Sequence, residues 1–285
     1  MKYEAAMVAL AGVVSARDIL FAGPGKMAKR EVPQEHSHEQ ILQTANTFLQ
    51  LDNPLEIQDA VFSLLGNAAA ALGAPNVDDL DCLQQIVADQ AFTNAKAAGD
   101  LDGQINAILF RAIERNTGSV GLASVICTQV AVNPEIAAVT QHQDPASDEG
   151  IAGNADLELE VARQIAILGG DPLLALNSAT FAPGEVWLSS YLYLQHWRFD
   201  ANNLQIGDPT GAGNTCNDET DPIGCIFTEN LLTPAVSEDD ILAAVADVAV
   251  AGGADNNAGA NNGAAADNVA GMSIFLIQTP LFTLS

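Results

Sequence analysis

Basic residues are scarce in this chain of 285 residues, which has 10 Lys and Arg against 36 Asp and Glu and a formal net charge of −26. Five of the basic residues precede Glu31, namely Lys2, Arg17, Lys26, Lys29 and Arg30. Only Glu4 and Asp18 among the acidic residues do so, and the remainder therefore has a net charge of about −29. A field of this sign repels phosphate backbones and anionic lipid. It excludes nucleic acid as a partner and leaves cationic ligands, divalent metal or a basic polymer.

Recognisable catalytic motifs are also missing. The sequence has no P-loop, no Gly-x-Gly-x-x-Gly after a strand, no HExxH and no Gly-x-Ser-x-Gly. The most metal-like cluster is Glu35-His36-Ser37-His38-Glu39, whose imidazoles could bind zinc or copper. Residues i and i+2 of a helix point to different sides, however, which favours a polar helix start. We therefore predict no catalytic residue, no cofactor and no metal site, with His36 and His38 as the nearest candidates for metal ligands. The run from Gln141 to Asp144 is predicted to be a loop without an identifiable partner.

Long apolar runs are absent as well, which predicts that no segment spans a membrane, because a spanning helix needs about 20 apolar residues. The run Ala5–Val14 follows Lys2 and precedes the small-x-small pattern Val14-Ser15-Ala16. This pattern predicts a signal peptide, residues 1–16, and hence secretion. The only dibasic pair, Lys29-Arg30, then predicts cleavage of a propeptide, residues 17–30. The alternative is a buried N-terminal helix, which Glu4 favours.

Cysteine is limited to four residues, an even number that in a secreted chain predicts two disulfides in one of three pairings. Cys216 and Cys225 bracket a short polar loop that a local bridge would close. That bridge would leave Cys82 and Cys127, each in a helical pattern, to join two helices. A zinc site is less favoured, because the cysteines lack CxxC spacing.

Apolar residues recur at helical spacing along most of the chain and predict helices without an alternating strand. The predicted helices are 34–51, a second one from Pro54, 77–98, 101–115, 135–140, 155–168 capped by Asn154, 172–179, and 241–250 behind a capping box of Ser237 and Asp240. The stretch 120–132 is apolar enough to be buried on all sides. We predict an all-α fold with a single disulfide-stabilised helical domain, residues 31–240. The Ala/Gly/Asn-rich tail, residues 241–285, is predicted to be disordered; its apolar end also resembles a GPI-anchor signal.

The stretch Val186–Gln205 differs in composition from its surroundings, since it holds both tryptophans and two of the three tyrosines. An aromatic loop that binds carbohydrate or a membrane interface is one interpretation, and an inserted β-hairpin is another. We prefer a retained intron. Glu185-Val186-Trp187 can be encoded with a fungal splice donor, and Ala201-Asn202 and Leu204-Gln205 with a branch point and an acceptor.

Four runs of sequence resemble a known group of proteins. They are REVPQEHSHEQ (30–40), DCLQQIVADQAFTNAKAAGD (81–100), RAIERNTGSVGLASVICTQVAVNPEIAAVTQHQDPAS (111–147) and GNTCNDETDPIGCIFTENLL (213–232). They are similar to the secreted conidial cell wall proteins of filamentous ascomycetes, over residues 30–185 and 206–250. The resemblance implies a non-enzymatic structural protein of the fungal cell wall that covers the spore surface from host recognition, with wall polymers or other wall proteins as partners. The alternatives are a secreted effector and a helical protein that binds a small ligand or metal.

Overall fold

Helices make up the regular secondary structure of the residues that the computed structural model describes, which are 34–117, 120–184 and 215–248. The α-helices are α1 (Glu39–Leu49), α2 (Asn67–Gly73), α3 (Leu83–Ala98), α4 (Leu101–Ala112), α5 (Pro134–Ala137), α6 (Asp148–Leu168), α7 (Cys225–Thr228) and α8 (Glu238–Ala244). Short 3₁₀ helices cover Ala60–Leu64, Leu80–Cys82 and Pro172–Ser178. An isolated antiparallel bridge joins Thr180 to Thr233, and those ranges contain no longer strand. The predicted all-α fold class is confirmed.

Several predicted features lie outside the described residues. They are the signal peptide, the propeptide with its cleavage residues Ala16, Lys29 and Arg30, the 186–205 insert, and the tail beyond residue 248. The predicted domain boundary at residue 240 falls inside α8, whose Ile241 is buried in the core. The folded part therefore continues through α8.

Helix α4 occupies the centre of the described fold. It packs against α1, α3 and α6, and every residue from Ala107 to Ala112 is buried. Gly103 allows the close approach of α1, because a Cβ atom at this position would overlap the ring of Phe48. The two residues before α4 set its direction. Gly99 ends α3 in the left-handed conformation at φ 69°, and the Asp100 carboxylate accepts a hydrogen bond from Gly103 N at 2.7 Å.

The predicted second helix is wrong. Instead of one helix from Pro54, the chain forms an irregular stretch, the 3₁₀ helix Ala60–Leu64 and then α2. The Asn53 side chain explains the irregular part, because it bonds to both the N–H and the C=O of Ile57, at 3.1 and 2.7 Å. Such local bonds offer the backbone an alternative to a helix.

Helix α6 begins earlier than the predicted start at Ala155. Its N-cap is Ser147, whose hydroxyl accepts a hydrogen bond from Gly150 N at 2.9 Å. The acidic residues Asp148 and Glu149 lie in the first turn, where they suit the helix dipole. Asn154, the predicted cap, lies inside the helix, and its amide bonds instead to the backbone of Gln143.

The stretch 120–132 is not buried on all sides, contrary to the prediction. It lies outside α3 and has no helix or strand, and its large apolar side chains are exposed: Leu122, Val125, Ile126, Val130 and Val132. Side chains of α3 form hydrogen bonds with the backbone of this stretch. Gln85 Nε2 donates to Gln129 O at 2.9 Å, and Asp89 Oδ2 accepts from Val132 N at 2.7 Å. The four helices at the centre fill the core without it.

The disulfides join Cys82 to Cys127 and Cys216 to Cys225, so the two predicted bridges are confirmed. Cys127 lies in the irregular stretch, however, and its bridge ties that stretch to the residue before α3 rather than joining two helices. The second bridge closes the loop before α7. Among the described residues, no helix is both long enough and apolar enough to cross a membrane.

The two bridges should contribute unequally to stability. Their sequence separations are 45 and 9 residues, and loop-closure entropy gives about 4 kcal/mol for the longer loop and about 2.5 kcal/mol for the shorter one. We expect Cys82→Ala with Cys127→Ala to lower the free energy of unfolding by more than Cys216→Ala with Cys225→Ala does. Urea denaturation followed by circular dichroism measures both losses. Equal losses would contradict the entropic account.

Candidate functional site

The most concentrated polar chemistry of the described fold lies inside it, at the segment Gln141–Asp144 between α5 and α6. All four side chains are buried, although loops normally run over the surface. His142 has no exposed surface, and both its backbone N–H and its ring Nδ1 meet the carbonyl of Ala112, at 2.7 and 2.8 Å. Ala112 is the last residue of α4. His142 thus satisfies a carbonyl that a helix end would otherwise leave unpaired.

His142 also contacts Glu158 of α6, with Nε2 3.2 Å from Oε1. Both side chains are fully buried. Each ring nitrogen therefore faces an oxygen atom, and both nitrogens have a partner inside the protein.

The second role of Glu158 is to bind the backbone of the C-terminal segment. Its carboxyl oxygens accept hydrogen bonds from Ala235 N at 2.9 and 3.0 Å and from Val236 N at 3.1 Å. Hydrogen bonds to a charged acceptor are stronger than those between neutral groups. Glu158 thus connects α4, through His142, with the residues that precede α8.

The neighbouring amides continue the cluster. Arg111 of α4 donates from Nη1 to Gln141 Oε1 at 2.8 Å, and Gln141 Nε2 donates to Val125 O at 2.9 Å. Gln143 Oε1 accepts from Ser124 N at 2.7 Å. Burial and, to a smaller extent, the nearby charge of Arg115 together lower the pKa of Arg111 to about 10, so that Arg111 is still a cation at neutral pH. These bonds fasten the exposed stretch 120–132 to the interior.

Arg115 is the second buried cation, and it bonds mainly to backbone. Its guanidinium donates to Ser63 O at 3.0 Å, Asp81 O at 3.3 Å, Leu65 O at 3.3 Å and Leu80 O at 3.4 Å. The planar fork of arginine suits several acceptors at once. Arg115 therefore holds the turns on either side of α2 against the end of α4.

The predicted metal candidates do not form a metal site. His38 is buried, with Nε2 2.9 Å from Ala179 O and Nδ1 3.0 Å from the hydroxyl of Ser37, so that both ring nitrogens are already bonded. His36 instead contacts Glu39, 2.7 Å from Nδ1 to Oε2. Within the described ranges, no group of three His, Cys, Asp or Glu side chains is arranged to hold a metal ion.

A half-open cavity of about 260 Å³ lies between the stretch 120–132 and α6. Its lining is mainly apolar and includes Ile126 and Leu157, together with the amides of Gln141, Gln143 and Asn154. All three amides are already hydrogen-bonded within the protein. A small molecule in this cavity would therefore be held mainly by apolar contacts, with Thr140 and Glu149 as the remaining polar groups of the lining.

No family model matches the chain, and no curated protein and no solved structure does so either. The chemistry of the site is therefore argued from its geometry. His142 and Glu158 would suit acid–base catalysis, but neither is exposed and both are fully bonded to the protein. The arrangement holds together the end of α4, the middle of α6 and the residues that precede α8.

Sequence reasoning singled out the run containing His142 but found no partner for it. Glu158 gave no signal, because acidic residues are too abundant for their spacing to be informative. A polar run next to apolar helices could have indicated buried hydrogen bonding.

The buried His38 predicts a loss of stability in acid. Burial lowers its pKa from 6.5 to about 4, against the opposing effect of its bond to Ala179. The unfolded chain therefore takes up the proton at a higher pH than the folded chain. The free energy of unfolding should fall by about 3 kcal/mol as pH drops from about 6.5 to about 4. Below about pH 4, the protonation of His38 should cause no further loss.

His38→Gln removes this titration while an amide N–H can still reach Ala179 O. Urea unfolding at several pH values should show a shallower loss in this variant than in the wild type. Thr47→Ala, an exposed substitution on α1 that removes no titratable group, is the control and should keep the wild-type slope. An unchanged slope in His38→Gln would contradict the assignment.

Glu158→Gln should be strongly destabilising. Whichever way the new amide lies, its N–H₂ group replaces an oxygen that accepts from Ala235 N, so that two donors face each other, and no carboxylate remains beside His142. We expect a loss of about 3 kcal/mol in the free energy of unfolding. Glu160→Gln on the same helix affects only partly exposed contacts, the pair with Arg163 at 3.4 Å and the hydrogen bond from Gln164 at 2.6 Å, and should cost less than about 1 kcal/mol. Similar losses of unfolding free energy in the two variants would show that Glu158 stabilises the fold no more than a partly exposed glutamate does.

Proposed function

We propose that this chain is a secreted, non-enzymatic structural protein of the fungal cell wall, located at the surface of the conidium, where it covers the wall from host recognition. The observation that carries the proposal is the distribution of charge. In the described part of the chain, cations are either buried or paired with glutamate, and carboxylates greatly outnumber cations at the surface.

Each described basic residue follows this rule. Arg111 and Arg115 are 1% and 4% exposed. Lys96 lies 3.5 Å from Glu135. Arg163 pairs with Glu160 on the same helix. A surface with a strongly negative net charge keeps a protein soluble and repels anionic surfaces, while it attracts cationic polymers. These properties suit a coat protein held at a wall.

Two further observations support the proposal. The disulfides fit an extracellular protein, since such bonds persist in oxidising compartments. The strongest acid–base pair, His142 and Glu158, is inaccessible to substrate and is used to hold the fold together. The resemblance of the four sequence runs to conidial cell wall proteins gives the location.

The alternative of a secreted effector or ligand-binding protein draws on the cavity beside Ile126. Its lining amides are used within the protein, so that apolar contacts together with the Thr140 hydroxyl and the Glu149 carboxylate would be left to select a ligand. A metal-binding function would need ligands other than His38, whose ring nitrogens are both occupied. The structural role is better supported than either alternative.

The proposal is tested by fractionating culture fluid, washed spore walls and cell lysate, with the intact mass measured in each. We expect the chain in the wall fraction, beginning at Glu31 and four hydrogens lighter than its reduced form, because two disulfides form. A control variant, Lys29→Gln with Arg30→Gln, should retain residues 17–30. Full-length chain with free thiols, confined to the lysate, would contradict the proposal.

A further inference from the structure

The half-open cavity between the stretch 120–132 and α6 has the size of a small-ligand site. Its volume of about 260 Å³ lies just below the range of pockets that hold drug-sized molecules. A cavity of about 150 Å³ holds one benzene molecule, so this one has room for about ten non-hydrogen atoms. Ile126 and Leu157 make the lining mainly apolar. A ligand that fits is therefore small and has an apolar body.

Helix α6 supplies one wall of the cavity from a single stripe of residues. Glu149, Gly153 and Leu157 follow one another at intervals of four, which places them on the same face about 6 Å apart along the axis. Glu149 is exposed, whereas Leu157 is only 7% exposed. The wall therefore has a charged outer end and an apolar inner end.

The absence of a side chain at Gly153 keeps this wall open. A Cβ atom at Gly153 would meet no other atom within 4 Å, and the residue does not have a positive φ. Neither packing nor backbone conformation requires glycine here, although glycine is a poor helix former. Gly150, nearly one turn earlier, differs, because a Cβ atom there would overlap the backbone of Asp144. The consequence of Gly153 is thus an open cavity and not a closer contact within the protein.

The opposite wall is fixed in position. It belongs to the stretch 120–132, in which Cys127 is bonded to Cys82. Ser124, which lines the cavity, donates from its backbone N–H to Gln143 Oε1 at 2.7 Å. A cavity whose walls are already in place costs less entropy when it takes up a ligand.

Charge determines which small molecules the cavity favours. Glu149 belongs to none of the ion pairs between described residues, so its carboxylate is left for a ligand. Asp148 adds a second carboxylate in the same turn, and together they outweigh the partial charge of about +0.5 at the helix start. Behind the lining amide of Gln141 lies the buried cation Arg111. The positive group of a ligand therefore belongs at the Glu149 end.

We propose that this cavity binds a small organic cation, a primary amine on an apolar body of about ten non-hydrogen atoms. The ammonium group donates to the Glu149 carboxylate and the Thr140 hydroxyl, neither of which bonds to another described residue. The apolar body lies between Ile126 and Leu157. The net charge of −26 draws cations towards the chain and repels carboxylate ligands. The proposal does not depend on the role in the wall.

The first test compares three ligands that share one apolar body: 2-phenylethylamine, 2-phenylethanol and phenylacetate. Each is titrated into the nitrogen-15-labelled, disulfide-bonded chain at pH 7 and low salt, and amide chemical shifts are followed by NMR. We expect the amine to shift the amides of Gly153 and Ile126, with a dissociation constant of about 1 mM or below. The alcohol should bind about fivefold more weakly, since it lacks the ion pair, and phenylacetate should bind more weakly still.

The second test fills the cavity. Gly153→Leu places a side chain in the open space without a clash and improves the helix, so this variant should fold at least as well as the wild type. It should abolish the binding of both the amine and the alcohol. Ala152→Leu adds the same bulk at the neighbouring exposed position, outside the lining, and should leave binding unchanged.

The third test removes the charge. Glu149→Gln should weaken amine binding about fivefold and leave the alcohol unaffected. Asp156→Asn makes the same change in charge at an exposed residue of α6 that does not line the cavity, and it should leave both affinities unchanged.

Three results would overturn the proposal. One is that none of the ligands shifts the amides that line the cavity. Another is amine binding that persists in Gly153→Leu, which would place it elsewhere on the acidic surface. The last is equal affinity for the three ligands, which would show that Glu149 does not select a cation.

Discussion

The contact between His142 and Glu158 joins stretches of chain that lie far apart in sequence. Through it, the carboxyl end of α4 is connected to α6 and to the backbone before α8. Both side chains are completely buried, so the loss of one would leave the other without compensation in a medium of low dielectric constant. Arg115 and His38 act similarly, each bonding to backbone carbonyls of distant segments. The packing of the short helices thus depends on polar bonds inside the protein.

The sequence predicted the elements whose signals are local. The apolar periodicity of α1, α3 and α4 gave their positions, Gly99 marked the end of α3, and the capping box of Ser237 and Asp240 is confirmed. Errors arose where a side chain is used over a distance. Asn154 has the chemistry of a cap, but its amide bonds to Gln143 inside the fold. A local pattern carries no information about such a partner.

The stretch 120–132 and the buried site around His142 show the same limit of local sequence patterns. Hydrophobicity states what a valine prefers, but the core formed by α1, α3, α4 and α6 is complete without Val130 and Val132, which leaves them outside. The two disulfides were among three pairings that the sequence allowed, and the short spacing of Cys216 and Cys225 favoured the observed one. Glu158 could not be predicted, because nothing in its neighbourhood distinguishes it from other acidic residues.

The hydrogen bonds from Ala235 and Val236 to Glu158 have a consequence for the order in which the chain can fold during synthesis. A nascent chain that ends before residue 235 already contains α4, α6 and His142, yet it lacks the donors that complete the Glu158 carboxylate. The native interior can therefore close only after almost the whole folded part has emerged.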